Sequence, residues 1–389
     1  MKPLKNIFST SILFVVVLTF SFCTGHWHKP RSASRYEENH SGNPPKVNNA
    51  GVPFKKSVGS PIIKYNVSPK LVPNDFLAHI QDSHHEKYGI VENEVVDQSG
   101  NLWFSYQLIL ETRDENHYSY KSINNGLCRY DGKNCWIYSV AEGLPDSIIN
   151  CIIVDSENNV WIGTTNGLCC YDGKNFMIYN TLQGLPANSI TSMTEDRNKE
   201  IWIGTGRGVC VFNKTVMLHY DTNQGLCDEY VLGILEDEKQ NIWLGTSNGL
   251  SCFNGKTFTN YTTEQGLANN LFFAYNSKCI VTDDKGNLWL ITYTGGVTKF
   301  DGKNLITFPE LTSYGILSIG EDKNGNILLG SDGCVFIFDG KNFISHEISK
   351  GLKEDDVSSI TKDKNGNLLL ATFKSGILLY DGNTFTKFL

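Results

Sequence analysis

The sequence predicts an all-β protein: a seven-bladed β-propeller of four-stranded antiparallel blades, preceded by an N-terminal signal peptide and a disordered tether. Two recurrences point to this class. An Asp-led polar turn followed by a strand begins at Asp97, Asp155, Asp196, Asp237, Asp283, Asp322 and Asp363. In each copy a large apolar anchor falls six residues later, as Trp103, Trp161, Trp202, Trp243, Trp289, Leu328 and Leu369. Units spaced by roughly forty residues and read as short strands with turns mark a propeller or a solenoid. In phase with them, an aromatic residue precedes Asp131-Gly132, Asp172-Gly173, Asp301-Gly302, Asp339-Gly340 and Asp381-Gly382.

One complete unit, Gly184 to Asp221, shows the order of elements. Gly184-Leu185-Pro186-Ala187-Asn188 is a turn, because Gly and Pro fix its backbone. Ser189 to Glu195 reads as a first strand, Glu200 to Thr205 as a second, Val209 to Phe212 as a third and Val216 to Tyr220 as a fourth. Four short strands separated by turn residues make one blade. The Asp-Gly pairs between third and fourth strands read as tight type I′ hairpins, with Asn213 and Asn254 as substitutes in two blades.

In the second strand, Trp161 and Gly163 share one face and Ile162 and Thr164 the other. Stacked blades need a large plate against one neighbour and a small residue where another approaches. The small position holds Ser105, Gly163, Gly204, Gly245, Gly330 and Ala371, with Ile291 as the exception. The Trp residues therefore read as core and not as ligand-stacking platforms, since a buried indole carries so much apolar area.

The chain has 389 residues, 40% hydrophobic and 12% aromatic, enough for a large core. Net charge is −7, spread without long runs, which argues against a nucleic-acid footprint.

Lys2 and Lys5 precede an apolar run from Ile12 to Phe22, the pattern of a secretory signal peptide over residues 1–23. The run is short for a membrane span. Cys23 stands where a bacterial lipoprotein carries its lipid, although Phe22 replaces the usual small residue before it; cleavage without lipid is the plainer alternative. Residues 24–60 are polar and aperiodic and read as a disordered tether, with 61–389 forming the propeller. His26-Trp27-His28 lies in that tether and reads as incidental to metal binding. Pro61 to Val67 reads as an extra strand near the ring closure.

Taken together, the Gly-Leu-Pro turns (Gly143-Leu144-Pro145 and Gly184-Leu185-Pro186), the Asp-to-Trp segments and the Gly-Leu strands ending in Tyr-Asp resemble the two-component regulator propeller repeat. The resemblance covers residues 62–389. It implies a propeller of the kind found in periplasmic sensor halves of hybrid histidine kinases, which bind saccharides or related ligands. This sequence ends at Leu389 with no kinase segment, so the resemblance extends to the sensor part alone.

Irregularities mark where function resides. Between Trp103 and Gly126 lies an insertion, about Tyr106 to Ile123, read as a long second-to-third strand loop that carries Tyr118 and Tyr120. Loops on a rigid scaffold commonly hold binding residues. Asn166, Arg207, Asn248, Tyr293 and Lys374 fall in the equivalent loops, and Asp146, Asn188, Asp228 and Asn269 at the starts of first strands. These form the expected ligand-binding face.

Catalytic and metal residues are not indicated. The Asp-x-x-Gly-Asn turns lack the alternating oxygen ligands of a calcium loop. Ten of the eleven Cys follow Cys23; they include Cys128, Cys169 and Cys210 at one third-strand position, too far apart between blades for disulfides, and read as small core residues. The reading is an exported, non-enzymatic binding or interaction propeller in the periplasm or at the cell surface, without cofactor. Its partner is a saccharide, peptide or protein, and a membrane contact runs through the Cys23 lipid. The alternative is a lyase or hydrolase with its site at the central funnel, for which a Glu, His and Lys or Arg cluster at the axis would speak.

Overall fold

A computed structural model of the chain describes residues 44–64, 67, 69–72, 87–114, 117–272, 278–293, 296–331, 333–347, 356–373 and 376–388. Seven antiparallel sheets follow one another along the sequence, and each is one blade. Their inner strands are Lys87–Val96, Ile149–Val154, Ile190–Glu195, Val231–Glu236, Ile280–Thr282, Ser318–Glu321 and Val357–Lys362, for blades 1 to 7.

The ring closes between blade 7 and blade 1. Leu369, Ala371 and Ile377 pack with Val91, Phe104 and Tyr106 in one buried cluster. Polar side chains on the inner strands carry the same closure in hydrogen bonds, each reaching a backbone carbonyl of the next inner strand. Asn93 Nδ2 donates to Ile149 O at 3.2 Å and Asn150 Nδ2 to Ile190 O at 2.7 Å. Thr191 Oγ1 donates to Val231 O, Ser318 Oγ to Val357 O at 2.7 Å and Ser358 Oγ to Val91 O at 3.4 Å.

The six-residue step from Asp to Trp has a direct cause. In blade 2 the Asp155 carboxylate accepts from the backbone of Glu157 and Asn159 and from the Asn159 amide, which shapes the turn. Its Oδ2 also accepts from Trp161 Nε1. The indole bond recurs at Trp103, Trp202, Trp243 and Trp289. Each Trp then meets an aromatic ring at the end of the next blade's third strand. Trp161 lies 6.0 Å from Phe212 at 83°, and Trp289 lies 5.0 Å from Phe338 at 60°. The small position is also explained: a Cβ on Gly163 would stand 2.5 Å from Cys151 Sγ and 2.7 Å from Ile190 Cγ2 of blade 3.

The third-to-fourth strand turns differ from the expected type I′ hairpin. That turn needs positive φ at both central residues. Here Gly132 has φ 91° and Gly173 has φ 92°, whereas the lysines that follow them do not have positive φ. The leading Asp does the remaining work, Asp131 Oδ1 accepting from the backbone of Lys133 and Asn134.

The tether boundary at residue 60 is corrected. Lys46–Asn49 pairs with Thr257–Tyr261 as a fifth, outer strand of blade 4, and Phe54–Ser57 pairs with Val216–Tyr220 of blade 3. Ile62–Lys64 then adds to blade 2 and Lys70–Val72 to blade 1. The strand expected near Pro61 exists, but as one link of a belt along the outer edges of four blades. Short strands held mainly by backbone pairing carry no hydrophobic period, so composition reads them as unstructured. The signal peptide, Cys23 and the first part of the tether lie outside the described residues.

The insertion is also not a loop. Leu102–Asp114 and His117–Tyr130 form one long hairpin, and Lys87–Val96 pairs alongside as far as Lys87 against Leu110. Blade 1 is thus extended as a three-stranded sheet beyond its neighbours. A further correction concerns Cys128, which forms a disulfide with Cys135 inside blade 1. Tyr130 faces Cys135 across the two strands, which makes Cys128 and Cys135 diagonal neighbours on one face.

Candidate functional site

Strand direction places two kinds of connection at one end of the ring: the loops between second and third strands, and the links from one blade to the next. The blade 1 extension leaves from this end as well. Two-residue loops here are held by buried threonines. Thr164 Oγ1 donates to Gly167 O at 2.8 Å and accepts from Asn166 N, so the Asn166 side chain is turned out into solvent. Thr205 and Thr246 do the same for Arg207 and Asn248, both exposed.

The links pair with these loops. Asn188 Nδ2 donates to Asn166 Oδ1 at 3.3 Å while its own Oδ1 accepts from Thr181 N. Two blades on, Asn270 Nδ2 donates to Asn248 Oδ1 at 3.4 Å and Asn270 Oδ1 accepts from Thr263 N. Asn270, and not the expected Asn269, is therefore the counterpart of Asn188; both stand four residues after the turn glycine. Asn269 Oδ1 accepts from Leu271 N, a local bond that shapes the link. Asp146 and Asp228 are likewise engaged, accepting from Thr165 Oγ1 and Ser247 Oγ.

Exposed apolar side chains separate the two ends. Apart from those on the outer rim, the large exposed ones are Val140, Ile148, Leu182, Tyr230, Tyr293 and Tyr314, and all six lie in these loops and links. Among the described residues none lies at the opposite end, where polar turn groups bind the neighbouring blade. There Ser156 N donates to Glu195 Oε2 at 2.7 Å, and Arg197 N donates to Glu236 Oε2 at 3.0 Å.

Blades 1 and 5 bring charge to the axis, where hydroxyls of blade 7 meet it. Glu94 of blade 1 is 1% exposed, and its Oε1 accepts from Ser359 Oγ of blade 7. Lys278, just before the inner strand of blade 5, donates from Nζ to Thr361 Oγ1 of blade 7 at 2.7 Å. Burial pushes the Lys278 ammonium down, and the Glu94 charge partly restores it. Burial also raises Glu94, against the lowering effects of Lys278 and Ser359. Glu92 is pushed up to about 7 by burial and then by Glu94. Among the described residues no three His, Cys, Asp or Glu side chains converge to hold a metal.

The two component regulator propeller family matches residues 143–166, 184–207 and 225–248, the link, inner strand and second strand of blades 2, 3 and 4. Those three segments match the two-component regulator propeller repeat. Among solved structures it is similar to the extracellular domain of BT3049 from B. thetaiotaomicron, described as a hybrid two component system. That likeness has a TM-score of 0.57 at 25% identity, over 76% of this chain and 39% of the other. The extracellular domain of BT4673 from the same organism shares the fold, with a TM-score of 0.56 at 18% identity over 84% and 43% of the two chains. This chain thus spans less than half the length of those relatives. No curated protein matches it in sequence.

Within this repeat frame the residues expected at the site fall into three groups. Asn166, Arg207, Asn248, Tyr293 and Asn188 share one end of the ring, with Asn269 set into a link there. The side chains of Tyr118 and Tyr120, on the blade 1 hairpin, and all of Lys374 lie outside the described residues. Missed were Asn270, Tyr230 and the axial group. Glu94 had a visible signal: three residues before the turn Asp, the other six blades have Ile152, Met193, Ile234, Ile280, Ile319 and Ile360.

Proposed function

We propose that this protein is an exported, non-enzymatic binding propeller whose ligand docks on the end formed by the second-to-third strand loops and the interblade links. Apart from the outer rim, the exposed aromatic and apolar side chains of the described residues lie at that end, and this carries the reading. Tyr230, Tyr293 and Tyr314 offer ring faces, and Arg207, Asn166 and Asn248 offer donors and acceptors around them. Apolar faces with a few placed polar groups suit a saccharide, which presents C–H faces and hydroxyl edges. Likeness to extracellular domains of bacterial signalling systems supports a role in sensing outside the cytoplasm. Lys2, Lys5 and the run Ile12 to Phe22 support export, and Cys23 is the proposed point of lipid attachment. Mass spectrometry of the mature N-terminus tests that attachment.

A glycan array probed with the whole mature chain tests the binding reading. Retention of specific glycans, weakened at least tenfold by Arg207→Ala or Tyr230→Ala, is the expected result. No retention, together with turnover of a saccharide, overturns it.

One observation favours an enzyme as a second reading. Glu92, held near 7, has the protonation range of a general base, and Lys278 supplies a cation at the same axis. Against it, Lys278 is bonded to Thr361 and Glu94 to Ser359. Saccharide cleavage that Glu92→Gln abolishes while leaving binding intact would establish that reading.

A further inference from the structure

The inner strand of blade 1 leaves buried acceptors unused. Glu94 Oε2 has no hydrogen-bond partner, although the residue is 1% exposed and its other oxygen is bonded to Ser359. Asn93, next to it and 4% exposed, has φ 56°; its Nδ2 is bonded to Ser105 and Ile149, yet its Oδ1 has no partner. An unpaired buried acceptor costs about 1–3 kcal/mol, and two adjacent ones beside a second carboxylate, Glu92, make a locally acceptor-rich site. Among the described residues Lys278 is the cation acting on Glu94, and it already donates to Thr361. Glu92 and Lys278 are half-buried and are the more accessible members of the group.

We infer that this axial cluster binds an unsubstituted primary ammonium group, as carried by an amino sugar, with Glu94, Asn93 and Glu92 as its acceptors. An ammonium has three N–H donors and no acceptor, which matches a carboxylate oxygen, an amide oxygen and a second carboxylate. Bonds to ionised acceptors are the stronger kind. A divalent metal fits less well, since the described residues offer no group of three ligating side chains. A cation here also favours ionised Glu92, so binding near pH 7 expels a fraction of a proton from that carboxyl. The sugar part of the ligand rests on the binding reading above; the ammonium part does not.

Isothermal titration of the full mature chain with methylammonium, D-glucosamine, N-acetyl-D-glucosamine and D-glucose tests the inference. Methylammonium and glucosamine are expected to bind, glucosamine at least tenfold tighter than N-acetylglucosamine or glucose. Repeating the titration at pH 7 in buffers of different ionisation enthalpy should reveal proton release. Glu94→Gln and, separately, the more accessible Glu92→Gln should each weaken glucosamine tenfold or more. Thermal melts identify any variant that fails to fold, and the other then decides. Binding of methylammonium without any sugar preference keeps the ammonium site and rejects the saccharide reading. Glycan binding indifferent to the amine, or no response to methylammonium and glucosamine, overturns the ammonium site.

Discussion

The indole N–H of Trp161 donates to Oδ2 of Asp155 at 2.9 Å, across the six residues that separate a turn from the strand it starts. One carboxylate thereby fixes the turn backbone and the orientation of the ring that meets Phe212 of the next blade. Local turn chemistry and blade stacking are joined through a single residue, which is why Asp and Trp recur together.

Asp155→Ala removes the acceptor for two backbone amides, the Asn159 amide and the indole. The expected loss is roughly 3 kcal/mol, since bonds to a charged acceptor contribute about 1.5–3 kcal/mol each and overlap in effect. Asp322→Ala, in a blade whose anchor is Leu328, should cost less because no indole depends on it. Urea unfolding of the two variants measures the difference.

Gly163→Ala forces a methyl against Cys151 and Ile190, and should destabilise by about 2 kcal/mol through overpacking. Gly173→Ala meets no atom within 4 Å but must hold φ 92°, so its cost is strain alone, near 1 kcal/mol. Thermal melts should rank them in that order.

Glu92 makes stability fall as pH rises. Its folded carboxyl titrates near 7 against 4.5 for the ordinary group, so folding favours the protonated form. The contribution is complete below pH 4.5 and is lost as pH climbs through 7, on the order of 3 kcal/mol at most and less after solvent screening of this half-buried group. Unfolding free energies at pH 5 and 8 measure this slope, and Glu92→Gln should flatten it.

A chain beginning at residue 61 lacks the outer strands on blades 3 and 4. Compared with one beginning at residue 44, it should melt roughly 5 °C lower. Limited proteolysis should cut first near Val216–Tyr220 and Thr257–Tyr261, whose edges are then bare.

Blade number, strand order and the core role of the Trp residues were legible because a sevenfold recurrence averages out local ambiguity. The belt was not, since three- and four-residue strands held by backbone bonds show no apolar period. A faint signal remains in Gly51-Val52-Pro53 and Gly59-Ser60-Pro61, eight residues apart, where the belt crosses between blades. The Cys128–Cys135 bond crosses a single hairpin, so equivalent positions on different blades carry no sign of it. Asn270 was displaced by one residue because Asn269 aligns with Asp146 and Asp228, three residues after the turn glycine. Glu94 stood in plain view in an apolar column, and only the inner-strand geometry shows that its neighbours come from blades 5 and 7.

Hydrogen–deuterium exchange with and without the best glycan from the array tests the central claim most directly. Protection is expected in loops 165–166, 206–207, 247–248 and 292–293, and in the links 180–189 and 262–272. Protection confined to the opposite turns, 131–134, 172–175 and 301–304, would contradict it.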